Sequence, residues 1–391
     1  DGRIRPVRGI IAMADLARQE GLDAVLVPAE NAAEAAVAGP TTYGVRTLAE
    51  VVGLLNGVLE LEPHPPPDLT AMLQAAESPI DFAEVRGQEA VKRAIVVAAA
   101  GGHNVIMLGP AGTGKTMMAR ALPGVLPPMS SAEAIETTRI HSAAGELPAG
   151  EGLVSRRPVR TPHHTASAAS IVGGGAVPRP GEVSLATHGI LFMDELPEFP
   201  RAVLETLRQP LEDHVVTISR SRGTVRFPAN FLFVAAMNPA PGGSAGPGAA
   251  SQKAAERYRA RISGPLLDRI DIHVEAPAVP WKDLSSTQDT NSTSSATMRD
   301  RVLRARTVQA KRQGEGALNG RLRGKELDAL APMSEPARSL LGQAIAELGL
   351  SARAYDKVRR VARTVADLED VEELDVQHIA EAVQYRLLDR G

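Results

Sequence analysis

The run Gly109-Pro-Ala-Gly-Thr-Gly-Lys-Thr116 carries the sharpest chemical signal in the chain. Glycines at 109, 112 and 114 let backbone N–H groups turn inward around an anion. Lys115 then reaches the β- and γ-phosphates of a nucleoside triphosphate, and the Thr116 hydroxyl holds Mg²⁺. A second candidate group is Asp194-Glu195, which closes the apolar run 190–193. Asp194 there orders Mg²⁺ through its water shell, and Glu195 polarises an attacking water. Asn238 closes a further apolar run, 231–236. It reaches the same water and the γ-phosphate, or it is an ordinary turn former before Pro239. Arg269 stands between Asp268 and Asp271. It is either an arginine finger for a neighbouring subunit's γ-phosphate or a structural ion pair with one of those acids. Arg353 opens a late helical stretch. It is either a lid arginine reaching nucleotide or a solvated helix cation, with Arg359 and Arg360 competing for the role.

These groups meet only if a scaffold aligns them. Val105-Ile-Met-Leu108 reads as a buried strand before the glycine loop, and 117–122 as a helix whose N-terminus faces the anion. Strands at 190–193 and 231–236 alternate with helices, which predicts an α/β fold with a parallel sheet covered on both faces. In such a sheet the strand C-termini line the ligand crevice. An amphipathic helix is expected over 201–211 and a β-hairpin over 215–227, turning at Arg222-Gly223. The segment 139–180 shows only weak periodicity. Helices are expected at 298–312, 335–348, 352–368 and 376–388, giving an all-helical C-terminal lid. Upstream, helices at 10–19, 31–38 and 48–59 and a strand at 24–27 form a small α/β piece. Pro-rich 63–67 breaks it off as a linker. The resulting division is 1–62, a 63–80 linker, an 81–280 core with inserted loops, and a 281–391 lid, with low-complexity stretches at 239–251 and 285–296.

Composition narrows the function classes. The 391 residues are 43% hydrophobic and only 3% aromatic, so the cores are built from Ala, Val, Leu and Ile. A net charge of -3 argues against coating nucleic acid through bulk charge, but permits a local basic loop. There are no cysteines, which removes disulfides and thiolate metal sites and fits a cytoplasmic protein. No apolar run is long enough to span a membrane.

The pattern resembles AAA+ ATPases of the magnesium-chelatase-like branch, and within it the ComM/YifB family. The strings that carry it are GPAGTGKT (109–116), RTPHHTASAASIVGGG (160–175), PRPGEVSLATHGILFMDELPEF (178–199), RQPLEDHVVTISR (208–220), AAMNP (235–239) and YRARISGPLLDRIDIHV (258–274), with SARAYDKVRRVARTVADL (351–368) and VQHIAEAVQYR (376–386) in the C-terminal part. The resemblance implies ATP and Mg²⁺ as cofactors. It makes Lys115 and Thr116 the Walker A pair, Asp194 and Glu195 the Walker B pair, Asn238 sensor 1, Arg269 the arginine finger and Arg353 sensor 2. It places Val85-Arg-Gly-Gln88 on the adenine side. It also implies a homohexameric ring that acts on branched or single-stranded DNA as a branch-migration helicase in transformation or recombination. The competing class is a protein-remodelling or metal-insertion chaperone. Two basic loops are candidates for touching DNA. One holds Arg156, Arg157, Arg160, His163 and His164; the other holds Arg220, Arg222 and Arg226. Residues 1–62 resemble the C-terminal part of a Lon-protease-like domain, but Ile11 stands where active members carry a lysine, so proteolysis is not expected. Relatives' NPCPCG reads Asn238-Pro-Ala-Pro-Gly-Gly243 here, with Ala240 and Gly242 at the thiolate positions, so no zinc is expected.

Overall fold

The computed structural model describes residues 2–148, 150–220, 223–239, 249–279 and 293–389. At the N-terminus, α1 (Ile10–Gln19), β1 (Ala24–Pro28), α2 (Ala32–Ala36), β2 (Thr41–Val45) and α3 (Leu48–Leu55) form a small unit whose two strands pair in parallel. Ile11 is fully buried in its core and donates its N–H to Glu34 Oε1 at 3.1 Å. The position expected to hold a protease lysine is therefore an apolar packing residue. This unit is latched to the rest of the chain. Ser142 Oγ donates to Glu34 Oε1 (2.5 Å) and accepts the Gly9 N–H (2.8 Å), and Ile10, Ile11 and Val27 share a cluster with Met129 and Ala134.

After α4 (Leu69–Gln74), α5 (Glu89–Gly101) leads into the central sheet. Its strands are β3 (Val105–Leu108), β4 (Val159–Arg160), β7 (Ile190–Met193), β10 (Leu232–Met237) and β11 (Ile272–Glu275), all parallel in the order β11-β3-β10-β7-β4. Two of these, the two-residue β4 and β11, are too short or too mixed to read from periodicity. Between the strands lie α6 (Lys115–Ala121), α7 (Ser131–Ala144), α8 (Ala168–Val172), the small ribbon β5 (Gly173–Gly174) and β6 (Arg179–Pro180), and α9 (Glu182–Leu185). Then come α10 (Arg201–Thr206), α11 (Arg208–Asp213), the hairpin β8 (Val215–Arg220) and β9 (Gly223–Pro228), α12 (Ala249–Arg259) and α13 (Gly264–Leu267). One apolar cluster covers one sheet face with α5 and α6. A second, built on Phe192's neighbours Leu191 and Met193, covers the other with α10, α11 and the inner face of the hairpin.

The helix expected over 201–211 is two helices broken at Leu207. Pro210 is the reason: its ring clashes with the carbonyl four residues back, that of Thr206, where α10 ends. Helix α7 occupies sequence that looked aperiodic from 139 onward. Its buried residues include Thr137, Thr138, His141 and Ser142, each hydrogen-bonded, so the inward face is polar. Past residue 293 the described chain is helical: α14 (Ser295–Gln313), α15 (Gly324–Leu330), α16 (Glu335–Leu348), α17 (Ala352–Leu368) and α18 (Val376–Gln384). Helices α14 and α17 pack on α5, and one continuous apolar cluster runs from Val105 and Ala98 to Val361 and Ala366. No helix among the described residues is long and apolar enough to cross a membrane.

Candidate nucleotide site at one sheet edge and two arginines at the other

Parallel register decides which of the candidate residues meet. Leu108 pairs with Met237, and Ala235 with Met193, so β3 and β10 end level and β7 ends two residues short of them at the same edge of the sheet. The glycine loop, Asn238 and Asp194-Glu195 follow those three ends directly. Gly112 and Gly114 adopt left-handed backbone (φ 82° and 84°), which residues with a Cβ resist, and a Cβ on Gly109 would overlap the Ala276 carbonyl oxygen. Lys115 is buried. Its ammonium donates to the Gly109 and Pro110 carbonyls at 2.7 Å each and lies 3.5 Å from Asn238 Oδ1. Burial lowers its pKa, partly offset by Asp194 and Glu195. Thr116 Oγ1 donates to Asp194 Oδ2 at 2.7 Å, so the two oxygens expected to share a Mg²⁺ shell already touch. Glu195 takes a left-handed φ of 51°, rare for a residue with a side chain, and its carboxylate is half exposed.

The donor set fits a nucleoside triphosphate with Mg²⁺. The cradle holds a cation whose partners are neutral carbonyls, and the carboxylate and hydroxyl beside it are paired. Gln88 adds to the fit: Nε2 donates to the Pro277 carbonyl at 2.7 Å, while its buried Oε1 has no partner among the described residues. Lys115, Thr116, Asp194, Glu195 and Asn238 thus form one constellation.

Arg269 and Arg353 do not join it. Arg269 precedes β11, beside the residue that precedes β3: Asn104 Nδ2 donates to the Arg269 carbonyl (2.8 Å), and the Asp271 and Ile272 N–H groups donate to the Asn104 carbonyl (3.0 Å each). Four strand residues, about 13 Å, separate this edge from the cradle. The Arg269 guanidinium is held by the Arg208 carbonyl (3.1 Å), the Pro265 carbonyl (2.6 Å) and the Glu212 carboxylate. The ion pair expected with Asp268 or Asp271 is made instead with Glu212, a residue the sequence did not single out. Arg353, on α17, pairs with Asp268 at 2.9 Å, next to Arg269. Both arginines line one cavity of about 500 Å³ together with Arg321, Arg323, Lys357 and Arg360, and none of the cradle residues lines it. Asp271, at the base of this group, is buried. Burial raises its pKa, but His103, Lys357 and Arg360 outweigh it and hold the carboxyl below its ordinary value.

Two of the five residues of the first basic loop are engaged within the fold. The Arg157 side chain is 9% exposed and donates to the Pro127 and His188 carbonyls at 2.7 and 2.5 Å and to Glu133 at 3.1 Å. Arg160 grips Glu182 with two hydrogen bonds, 2.7 and 3.0 Å. Both guanidinium groups are thus engaged inside the fold, although Arg160 stays a quarter exposed. Arg156 and His163 remain exposed. In the hairpin, Val216 and Ile218 face the core while Arg226 is exposed; Arg222 and the loop positions Ala240 and Gly242 lie outside the described residues, and the Arg220 side chain is likewise not described. No group of three or more His, Cys, Asp or Glu suited to a metal occurs among the described residues.

Glu133 shows what the largely enclosed Arg157 side chain requires. Burial raises the Glu133 pKa, but His188, Arg157 and the Ser130 N–H outweigh it and bring it down to about 2. A depressed carboxyl stabilises the fold fully above its ordinary value and loses that contribution as pH falls toward 2. Glu133→Gln is expected to cost about 2–3 kcal/mol at neutral pH. In urea unfolding followed against pH, the gap between wild type and variant should close between about pH 4.5 and 2.5. A gap that stays constant with pH would remove this role from Glu133.

Comparison with known proteins agrees with the geometry. Residues 81–284 match the family magnesium chelatase, subunit ChlI, and residues 292–386 match magnesium chelatase, subunit ChlI C-terminal. The chain is 42% identical to the competence protein ComM of Haemophilus influenzae, over 100% of this chain and 76% of that protein. It is 41% identical to the YifB protein of Escherichia coli with the same coverage, and 25% identical over 51% of its length to 31% of the magnesium-chelatase 67 kDa subunit of Heliobacterium mobile.

Proposed function

The chain belongs to the magnesium-chelatase-like AAA+ proteins, in the branch that holds ComM and YifB, and from there we propose that it is an ATP-hydrolysing motor that works on DNA as a homohexameric ring. The observation that carries the ATPase is the convergence of Lys115, Thr116, Asp194, Glu195 and Asn238 on one strand edge. Lys115 and the loop N–H groups bind the phosphates; Thr116 and Asp194 hold Mg²⁺, which supplies charge neutralisation on the transferring phosphoryl group. Glu195 takes up the proton of the attacking water, and Asn238 orients that water.

Arg269 and Arg353 sit at the opposite edge from their own cradle, so they act on the nucleotide of a neighbouring subunit. That geometry supports a ring, because a head-to-tail interface closes only by rotation. The division into 1–62, 63–80, 81–280 and 281–391 assigns hydrolysis to the third segment and the Arg353 contribution to the fourth. The DNA part rests on the relative named a competence protein and on the exposed Arg156, His163 and Arg226. DNA branch migration in the cytoplasm is the role this reading gives it.

The test is steady-state ATP hydrolysis with and without forked or single-stranded DNA, with Lys115→Ala as the blank. DNA is expected to raise turnover several-fold at low salt, and the rise should fade as salt screens phosphate contacts. Turnover indifferent to DNA, together with no binding at low salt, would overturn the DNA motor and favour the chaperone class of the magnesium chelatase relatives.

A further inference from the structure

We propose that the cavity between segment 73–80, the end of α6 and α14 is a second ligand site, one that takes an organic anion with an apolar body and holds its carboxylate or phosphate head group with Arg120 and Arg299.

The cavity holds about 580 Å³, a volume suited to a small organic molecule. None of Lys115, Thr116, Asp194, Glu195 and Asn238 lines it. Arg120 is the last residue but one of α6, and Lys115 is the first, so cavity and cradle lie at opposite ends of one helix. With the cavity at Arg269 it shares only Leu126 and Arg157.

Its lining has two chemically distinct parts. Leu73, Leu126 and Met129 are buried and form an apolar part. Pro127 and Pro128 beside them have no N–H to offer, and their carbonyls already accept from Arg157 at 2.7 and 3.3 Å. That part suits hydrocarbon. The other part is cationic: four arginines line the cavity against one carboxylate, the exposed Glu77. Arg157 is committed to Glu133 and the carbonyls. Arg120, Arg156 and Arg299 make no hydrogen bond or ion pair with another described residue. A guanidinium fork matches the paired oxygens of a carboxylate or phosphate. An inorganic anion would leave the apolar part wet, and a neutral hydrocarbon would leave the cations unanswered. An amphipathic anion answers both.

The walls are held in place without a ligand. The Phe82 N–H donates to Ser295 Oγ at 2.8 Å, and the Ser295 N–H donates to Asp81 Oδ1 at 3.0 Å, which ties the end of segment 73–80 to the start of α14. A Cβ on Gly124 would stand 3.1 Å from the Cβ atoms of both Ser78 and Ser295, so both walls press on the core at that glycine. Binding therefore costs little reorganisation.

The experiment is a fluorescence titration of the full chain, its cradle saturated with ATP and Mg²⁺. The probes are anilinonaphthalene sulfonate, whose sulfonate stands in for the head group, and its neutral parent phenylnaphthylamine. Wild type is compared with a variant carrying Arg120→Ala and Arg299→Ala. Neither side chain has a partner to lose, so the thermal midpoint should not move. The variant is expected to bind the sulfonate about 10-fold more weakly or worse, and the neutral probe within about twofold of wild type. Decanoate and decyl phosphate should displace the sulfonate, the more effective of the two naming the head group, and inorganic phosphate at the same concentration should not. Equal affinity of the sulfonate for wild type and variant overturns the proposal. So does displacement by inorganic phosphate as effective as that by decanoate, or a signal that disappears when ATP fills the cradle. Displacement by single-stranded DNA but by neither amphiphile overturns it as well, and gives these arginines to the nucleic acid together with Arg156.

Discussion

Glu195→Gln is expected to lower ATP turnover by about 10²-fold or more, the usual contribution of a positioned general base. Nucleotide binding should persist, with an affinity within about threefold of wild type, because uniform binding is unaffected by a group that acts only on the water. The structure separates the two effects. Lys115, Thr116 and Asp194 form their own contacts, and none of them is a hydrogen bond to the Glu195 side chain. That side chain is half exposed and the amide has its shape, so the change in stability should stay within about 0.5 kcal/mol. Lys115→Ala is the contrasting variant, since it removes the cation that meets the phosphates and should abolish binding and turnover together. Steady-state turnover and equilibrium binding of a fluorescent ATP analogue, measured on the same preparation, distinguish them. A Glu195→Gln protein that hydrolyses at the wild-type rate would take the water-polarising role away from this residue.

The cradle was legible in the sequence because its chemistry is local. Gly112 and Gly114 are required by backbone geometry, and Lys115 and Thr116 follow at the next two positions. Asp194 and Asn238 were legible for a different reason: each follows a strand of nearly pure apolar sequence, and a parallel sheet brings the C-terminal ends of its strands to one edge. What could not be read is what the fold spends internally. Arg157 and Arg160 look like surface cations in a Gly- and Pro-rich loop. Glu133 lies 24 residues upstream of Arg157, and Glu182 22 residues downstream of Arg160. Nothing in their spacing announces either pairing. Glu212 is missed in the same way, since its partner Arg269 is 57 residues on and the nearer acids Asp268 and Asp271 seem the obvious choice. Asp268 instead takes Arg353 and Asp271 faces His103, Lys357 and Arg360, so each acid beside Arg269 is already engaged by the helical part of the chain.

Arg269→Ala should lower ATP turnover by about 10³-fold, the scale on which an arginine finger contributes. A loss alone would not separate a finger from a structural ion pair, and mixing does. Arg269 stands a strand's length from its own cradle, so in the proposed ring one protomer would supply the cradle and its partner the arginine. Lys115→Ala and Arg269→Ala are each expected to be nearly inactive by themselves. In a mixed ring, an Arg269→Ala protomer keeps an intact cradle and a Lys115→Ala neighbour keeps an intact arginine. Random mixing in equal amounts produces that pairing at about one interface in four. Turnover should therefore reappear on mixing, scaled to that fraction. If Arg269 acted on its own chain's nucleotide, or only held Glu212, no mixture of the two would hydrolyse ATP. The Glu212 contact fits the composite site: the carboxylate is half exposed and holds the guanidinium in the single chain. An incoming γ-phosphate carries more charge and more acceptor oxygens than that carboxylate, so assembly of the proposed ring would exchange one anion for a stronger one at the same guanidinium.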